Sequence, residues 1–155
     1  MERLGLLFTG ELFSGPNSSK SATKLFNQRA MGREITAKSV ESGKAIYKEG
    51  VLTVVRMCPE MRNEFLPALL PKAVVILTTE VMKSNPDRWV ARFRLGEGAP
   101  EGFTLKSLEI DKNIDPAFGG RWNAGSNSRG GGTNVPLEEY VKKLEAIMKE
   151  KLKIN

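Results

Sequence analysis

At 155 residues the chain is long enough to bury a core without disulfides or metal, and 40% hydrophobic with 27% charged residues is the composition of an ordinary globular domain. Twenty-four Lys and Arg against 18 Asp and Glu leave a net charge of +6, which favours anionic partners such as nucleic acid. No histidine occurs, which excludes Ser-His-Asp and Cys-His catalysis and His-containing zinc sites, and the single cysteine, Cys58, excludes an internal disulfide.

The N-terminal "MERLGLLFTGELF" places Glu2 and Glu11 around a short apolar run and offers no small-residue cleavage site, so no signal peptide is expected. No stretch approaches the roughly 18 apolar residues of a membrane span. The expected location is cytoplasmic, or a host cytoplasm if the chain is viral. Residues 4–13 read as a strand, "SGPNSSKSATK" (14–24) as a loop and 21–31 as a short helix capped by Ser21. "ITAKSV" (35–40) and "AIYKEG" (45–50) flank "ESGK" as a hairpin, followed by a β-branched strand at 51–57. Cys58 reads as a packing residue, and a short helix over 59–66 ends before Pro67.

"AVVILTTEVM" (73–82), "RWVARFRL" (88–95) and "FTLKSLEI" (103–110) have short connections and predict an antiparallel meander, because parallel pairing needs longer crossovers. "GEGAPEG" (96–102) is then a hairpin loop, and Glu109, Asp111 and Asp115 are solvated turn charges. Residues 119–134 are rich in glycine and read as a linker, anchored near 118–122 and flexible over 123–134. From 135 to 155 an amphipathic helix carries Leu137, Tyr140, Val141, Leu144, Ile147 and Met148 on one stripe. The whole predicts an α+β chain: a mainly antiparallel core of about six strands over 1–118, open or barrel-like, a linker, and a C-terminal helix.

Two basic regions are candidate sites. In "RWVARFRL" strand alternation puts Trp89, Ala91, Phe93 and Leu95 on one face and Arg88, Val90, Arg92 and Arg94 on the other. Arginine suits bidentate phosphate contact, although pairing with Glu80 or Glu109 is the simpler use of such a face. The stretch from Lys20 to Lys38 adds Lys24, Arg29 and Arg33 against Glu34 alone. "SGPNSSKS" is no phosphate loop, since Ser19 stands where the motif requires glycine. Arg121, Trp122 and Arg129 lie among the glycines, where stacking on bases is open to the tryptophan.

These features point to a non-catalytic binder of single-stranded DNA or RNA, with Lys20, Lys24, Arg29, Arg33, Arg88, Arg92, Arg94, Arg121, Trp122 and Arg129 as contacts. The alternative is a structural or assembly protein, viral for instance, that oligomerises or binds a partner through the stripe of its C-terminal helix. Neither reading implies a cofactor, a metal, an enzymatic activity or a membrane.

Overall fold

Strands β2 (Leu52–Arg56) and β3 (Val75–Val81) organise the structure, because "LTVV" and "VILT" are buried throughout, on both faces of the sheet. Continuous apolar runs of this kind suit parallel neighbours covered on both sides, and the two strands do pair parallel, from Leu52 beside Val75 to Arg56 beside Thr79. The computed structural model describes the backbone of residues 16–153 and side-chain surroundings from residue 27 to 153. Around β2 and β3 a six-stranded open sheet forms in the order β1-β2-β3-β4-β6-β5, with β1 at Ile46–Lys48, β4 at Trp89–Leu95, β5 at Gly119–Gly120 and β6 at Ala124–Ser126. All other neighbours are antiparallel. The α+β class is as expected, and the sheet does not close into a barrel.

The crossover that parallel pairing requires is residues 57–74. It contains a 3-10 turn at Asn63–Phe65 and helix α2 (Leu66–Leu69), with Pro67 in its first turn where a missing N–H costs nothing. Leu66 and Leu70 from this segment join Met61, Ala73, Val55 and Ile76 in a core on one face of the sheet. Helix α1 (Pro16–Ser42) adds Ile35 and Val40 to the same core.

Helix α1 corrects two expectations. Residues 16–24 are not a loop, and 35–40 are not a strand. Pro16 suits a first helical turn, no other proline or chain-reversing residue intervenes, and Gly43 at φ 77 supplies the left-handed stop after Ser42. "ITAKSV" alternates like a strand, but Gly32 and Thr36, four apart, are the buried positions, with Ile35 and Val40 half-buried beside them. The strand expected at 4–13 lies outside the described residues.

The third meander strand is also absent. Residues 105–108 form a 3-10 turn and Ile110–Asn113 a short helix, α3. Leu105, Leu108 and Ile110 are buried at spacings that suit helical turns, and the Thr104 amide donates to Ser107 Oγ (3.2 Å) to start the turn. "GEGAPEG" therefore joins a strand to a turn, with Gly98 N bonded to Ala73 O at 3.0 Å.

Helix α4 (Leu137–Leu152) covers the opposite face of the sheet. Tyr140, Val141, Leu144 and Met148 are buried with Leu52, Val54, Val75, Leu77, Ala91 and Phe93, and Leu137 and Ile147 pack against that cluster. The stripe offered as an oligomer or partner surface is thus consumed within its own chain. The glycine-rich stretch is no tether either: β6 pairs with β4, and Thr133 exchanges two 2.9 Å backbone hydrogen bonds with Trp89. That pairing returns the chain to the sheet just before α4 begins. Among the described residues no helix is long and apolar enough to cross a membrane.

Leu144→Ala should lower stability by about 2–5 kcal/mol, the cost of a cavity in a packed core, read as a shifted urea midpoint with an unchanged slope. A chain ending at Gly132 should fail to fold, seen as loss of cooperative thermal melting, because α4 supplies one wall of the core.

A candidate anion-binding face

Asp115 sets the geometry of this region. It is buried at 4% exposure, and its Oδ2 accepts hydrogen bonds from Asn127 Nδ2 and Tyr140 Oη, both at 2.8 Å. Its Oδ1 accepts from the Ala117 amide at 3.1 Å. Asn127 in turn accepts from the Ala91 amide at 2.9 Å. One carboxylate thereby joins the entry to β5, the exit from β6, strand β4 and helix α4, and it is no solvated turn charge. Burial, together with the adjacent Asp115 carboxylate, holds the Tyr140 phenol well above its ordinary pKa.

The β5–β6 hairpin held by this carboxylate is built on close backbone approach. A Cβ on Gly120 would stand 2.3 Å from Gly125 Cα, so only glycine fits. Gly119 differs: a Cβ there meets nothing within 4 Å, and its backbone needs no left-handed conformation. Its neighbours therefore do not demand glycine.

Register across β3, β4, β6 and β5 brings distant residues into rows on the face opposite α4. Thr78 lies beside Arg92, Arg92 beside Ser126, and Ser126 beside Gly119. In the next row Ile76 lies beside Arg94 and Arg94 beside Ala124. The Arg121 amide donates to Ala124 O at 2.7 Å, which carries Arg121 into that second row. The apolar core of this face ends at Ile76. Beyond it, Arg92 and Arg94 lie beside the small residues Ser126 and Ala124, with Gly119 next to Ser126.

Arg92 and Arg94 also form the sheet side of a polar cavity of about 370 Å³. The 57–64 segment forms its other wall, through Met57, Cys58, Met61, Arg62, Asn63 and Glu64. Arg92 Nη1 bonds Glu80 Oε1 at 2.6 Å, an exposed pair that contributes about 0.2–1 kcal/mol and opens readily to a stronger anion. Arg94 is more telling. Its Nε is buried without a hydrogen-bond partner, and its Nη2 reaches only Asn63 Oδ1 at 3.4 Å. A half-buried guanidinium with unfilled donors is a receptor for anionic oxygen.

Of the expected contacts, the fold brings together Arg92 and Arg94 on the cavity, while Arg121 is exposed at the end of β5 and does not line it. Arg88 is spent on structure, donating to Gly131 O at 2.7 Å and Gly132 O at 2.9 Å. Arg29 lies on α1 with Nη2 3.5 Å from Glu64 Oε2, which couples that helix to the cavity wall. Arg33 and Arg129 are exposed on α1 and on the Ser128–Gly130 turn, and neither lines the cavity. Trp122 is 56% exposed at the hairpin tip. Lys20 and Lys24 belong to α1, with side chains outside the described residues. Cys58, expected to pack, is exposed on the cavity wall. The 57–64 wall, Ser126 and Gly119 carried no motif in the sequence, since their roles arise only from pairing.

No protein-family model and no curated protein matches the sequence. The fold is similar to that of a solved pGpG-specific phosphodiesterase, PggH from Vibrio cholerae, with a TM-score of 0.55 and 11% identity. The likeness covers 92% of this chain and 45% of that one, so the chain spans less than half of that protein's length. This finding overturns the expectation of a non-enzymatic binder of single-stranded nucleic acid, because a solved protein with a similar architecture is a phosphodiesterase.

Gly119→Ala should leave the melting temperature unchanged, whereas Gly120→Ala should cost about 1–3 kcal/mol through overpacking. Tyr140→Phe should cost about 1–3 kcal/mol at neutral pH by leaving Asp115 short of a donor. The raised phenol pKa contributes stability that is complete below the unfolded value of about 10 and falls as pH rises past it. Urea titrations should therefore show wild type losing its advantage over Tyr140→Phe above about pH 10.

Proposed function

We propose that this chain supplies the nucleotide-gripping module of an enzyme that cleaves phosphodiesters in short 5′-phosphorylated oligonucleotides. The observation that carries the reading is Arg94, whose buried Nε lacks any partner beside Arg92 and a floor of small residues. The architecture shared with a pGpG-specific phosphodiesterase supports the substrate class. The cavity supports a short substrate as well: at about 370 Å³, backed by the 57–64 wall, it suits one nucleotide end, near the small limit of ligand pockets.

In this reading Arg94 and Arg92 receive the oxygens of one phosphate, with Arg92 exchanging its exposed Glu80 partner for the ligand. The Ser126 hydroxyl, now 3.0 Å from Ser128 Oγ, is available to an oxygen lying on that floor. Gly119 keeps the floor open, so that phosphate or ribose approaches the backbone. Held this way, the phosphodiester is oriented and its negative charge balanced by fixed guanidiniums as charge develops during cleavage. Among the described residues no three Asp, Glu or Cys side chains gather as a metal site. In this reading the residues of this face bind and orient the phosphodiester.

Calorimetric titration with pGpG should show binding that weakens with salt. Arg94→Ala and Arg92→Ala should each reduce affinity by about 10–100-fold, the loss of a charge-assisted hydrogen bond, with the melt unchanged. Gly119→Ala should weaken binding while leaving stability intact. Absence of pGpG binding at low salt, or binding indifferent to both arginine substitutions, would overturn the reading.

A further inference from the structure

We infer that Arg62 is a third anion-gripping guanidinium of the cavity, and that Gly32 and Thr36 of α1 place it there. This inference rests on the phosphate reading above and adds a contact from the wall facing the sheet. Arg62 lines the cavity beside Asn63 and Glu64, whereas Arg92 and Arg94 line it from β4. An anion between them is met from two sides. The charges leave Arg62 with capacity for such a ligand. Its Nε lies 2.9 Å from Glu64 Oε1, yet that oxygen accepts no hydrogen bond among the described residues, so the pair is an ion contact alone. Glu64 also serves Arg29, 3.5 Å away, and one carboxylate charge is thus shared by two guanidiniums. Glu80 serves Arg92, and the only hydrogen-bond partner of the Arg94 guanidinium among the described residues is the neutral Asn63. In this cluster four guanidiniums therefore stand against two carboxylates. The surplus is positive, and the Arg62 side chain is 46% exposed, within reach of a ligand as it stands.

Helix α1 fixes this arginine twice. The buried Thr36 hydroxyl donates to Gly32 O at 2.7 Å and accepts from the Arg62 amide at 2.8 Å, which pins the backbone of the wall. The Arg62 stem then lies across Gly32, where a Cβ would stand 2.6 Å from Cδ and 2.9 Å from Cγ. Position 32 lies within a helix, and helix formation alone favours alanine over glycine. What glycine provides at this position is room for the arginine stem. An exposed ion pair contributes little to stability, so the contact with Glu64 does not by itself call for this placement. A guanidinium that must face a ligand at a set distance does, because its donors are useful only where the anion's oxygens lie.

The test is calorimetric titration of the 155-residue chain with pGpG, alongside thermal melts. Arg62→Ala should weaken binding about tenfold, the loss of one charge-assisted contact, and melt as wild type does. Gly32→Ala should weaken binding to a similar degree while melting no lower, because the helix propensity of alanine offsets the displaced stem. The double variant should bind no worse than Arg62→Ala alone, since both changes act on one contact. Losses that add in the double variant, or Gly32→Ala with wild-type affinity, would overturn the placement by α1. Arg62→Ala with wild-type affinity would overturn the inference as a whole; a loss persisting in Arg94→Ala would then leave the phosphate reading standing. Should Gly32→Ala melt lower, the double variant decides: a recovered melt supports the clash with the Arg62 stem, and an unrecovered one overturns it. Failure of pGpG to bind wild type would overturn both readings.

Discussion

A buried carboxylate is costly unless every oxygen finds a donor, and Asp115 meets that condition with groups drawn from three parts of the chain. The Asn127 amide, the Tyr140 hydroxyl and the Ala117 backbone N–H converge on it. Removing any one would leave a buried polar group unmatched. The three donors are therefore held together as a set, and with them the segments they belong to. Asn127 passes the constraint on to β4 through the Ala91 amide, and Tyr140 packs edge-on against Trp89 with ring centroids 5.0 Å apart. This small network is what converts a glycine-rich stretch into a pair of ordered strands and fixes α4 over the sheet.

The candidate site is a consequence of that arrangement. Arg92 and Arg94 on β4 would face open solvent if 119–126 were a loose linker. With β5 and β6 in place, their neighbours are Ser126 and Ala124, and Arg121 is brought in from a residue remote in sequence. On the other side the long crossover between β2 and β3 stands over the sheet and supplies the cavity wall. Helix α1 steadies that wall: Thr36 Oγ1 accepts from the Arg62 amide at 2.8 Å while Arg29 lies near Glu64. Polar groups of opposite sign thus share one cavity.

The errors of the sequence-based expectations have distinct physical origins. "ITAKSV" carries a two-residue alternation and, at the same time, the buried spacing of a helix, and α1 uses the second. "FTLKSLEI" is apolar enough for a strand, but its leucines bury at helical-turn spacing. The parallel pairing of β2 and β3 depends on a crossover with only brief helical turns, which single-chain propensities underestimate. The function expected from net charge treated every arginine as equal. In the fold Arg88 caps backbone carbonyls and Arg29 lies beside Glu64, while Arg94 keeps unfilled donors.

What the sequence determined by itself is local. Strand alternation in "RWVARFRL" puts Ala91 and Phe93 in the core and Arg92 and Arg94 on the other face, and α4 follows from its three- and four-residue apolar spacing. Histidine chemistry was excluded by composition alone. Tertiary structure decided the rest: that α4 packs on its own sheet, that glycines at 119–120 and 125 lie in strands, and that Arg92, Arg94, Asn63 and Glu64 line one cavity. Such facts depend on register between segments far apart in the chain. Glycine, which has no side chain to impose a pattern, leaves no trace of its pairing in the sequence.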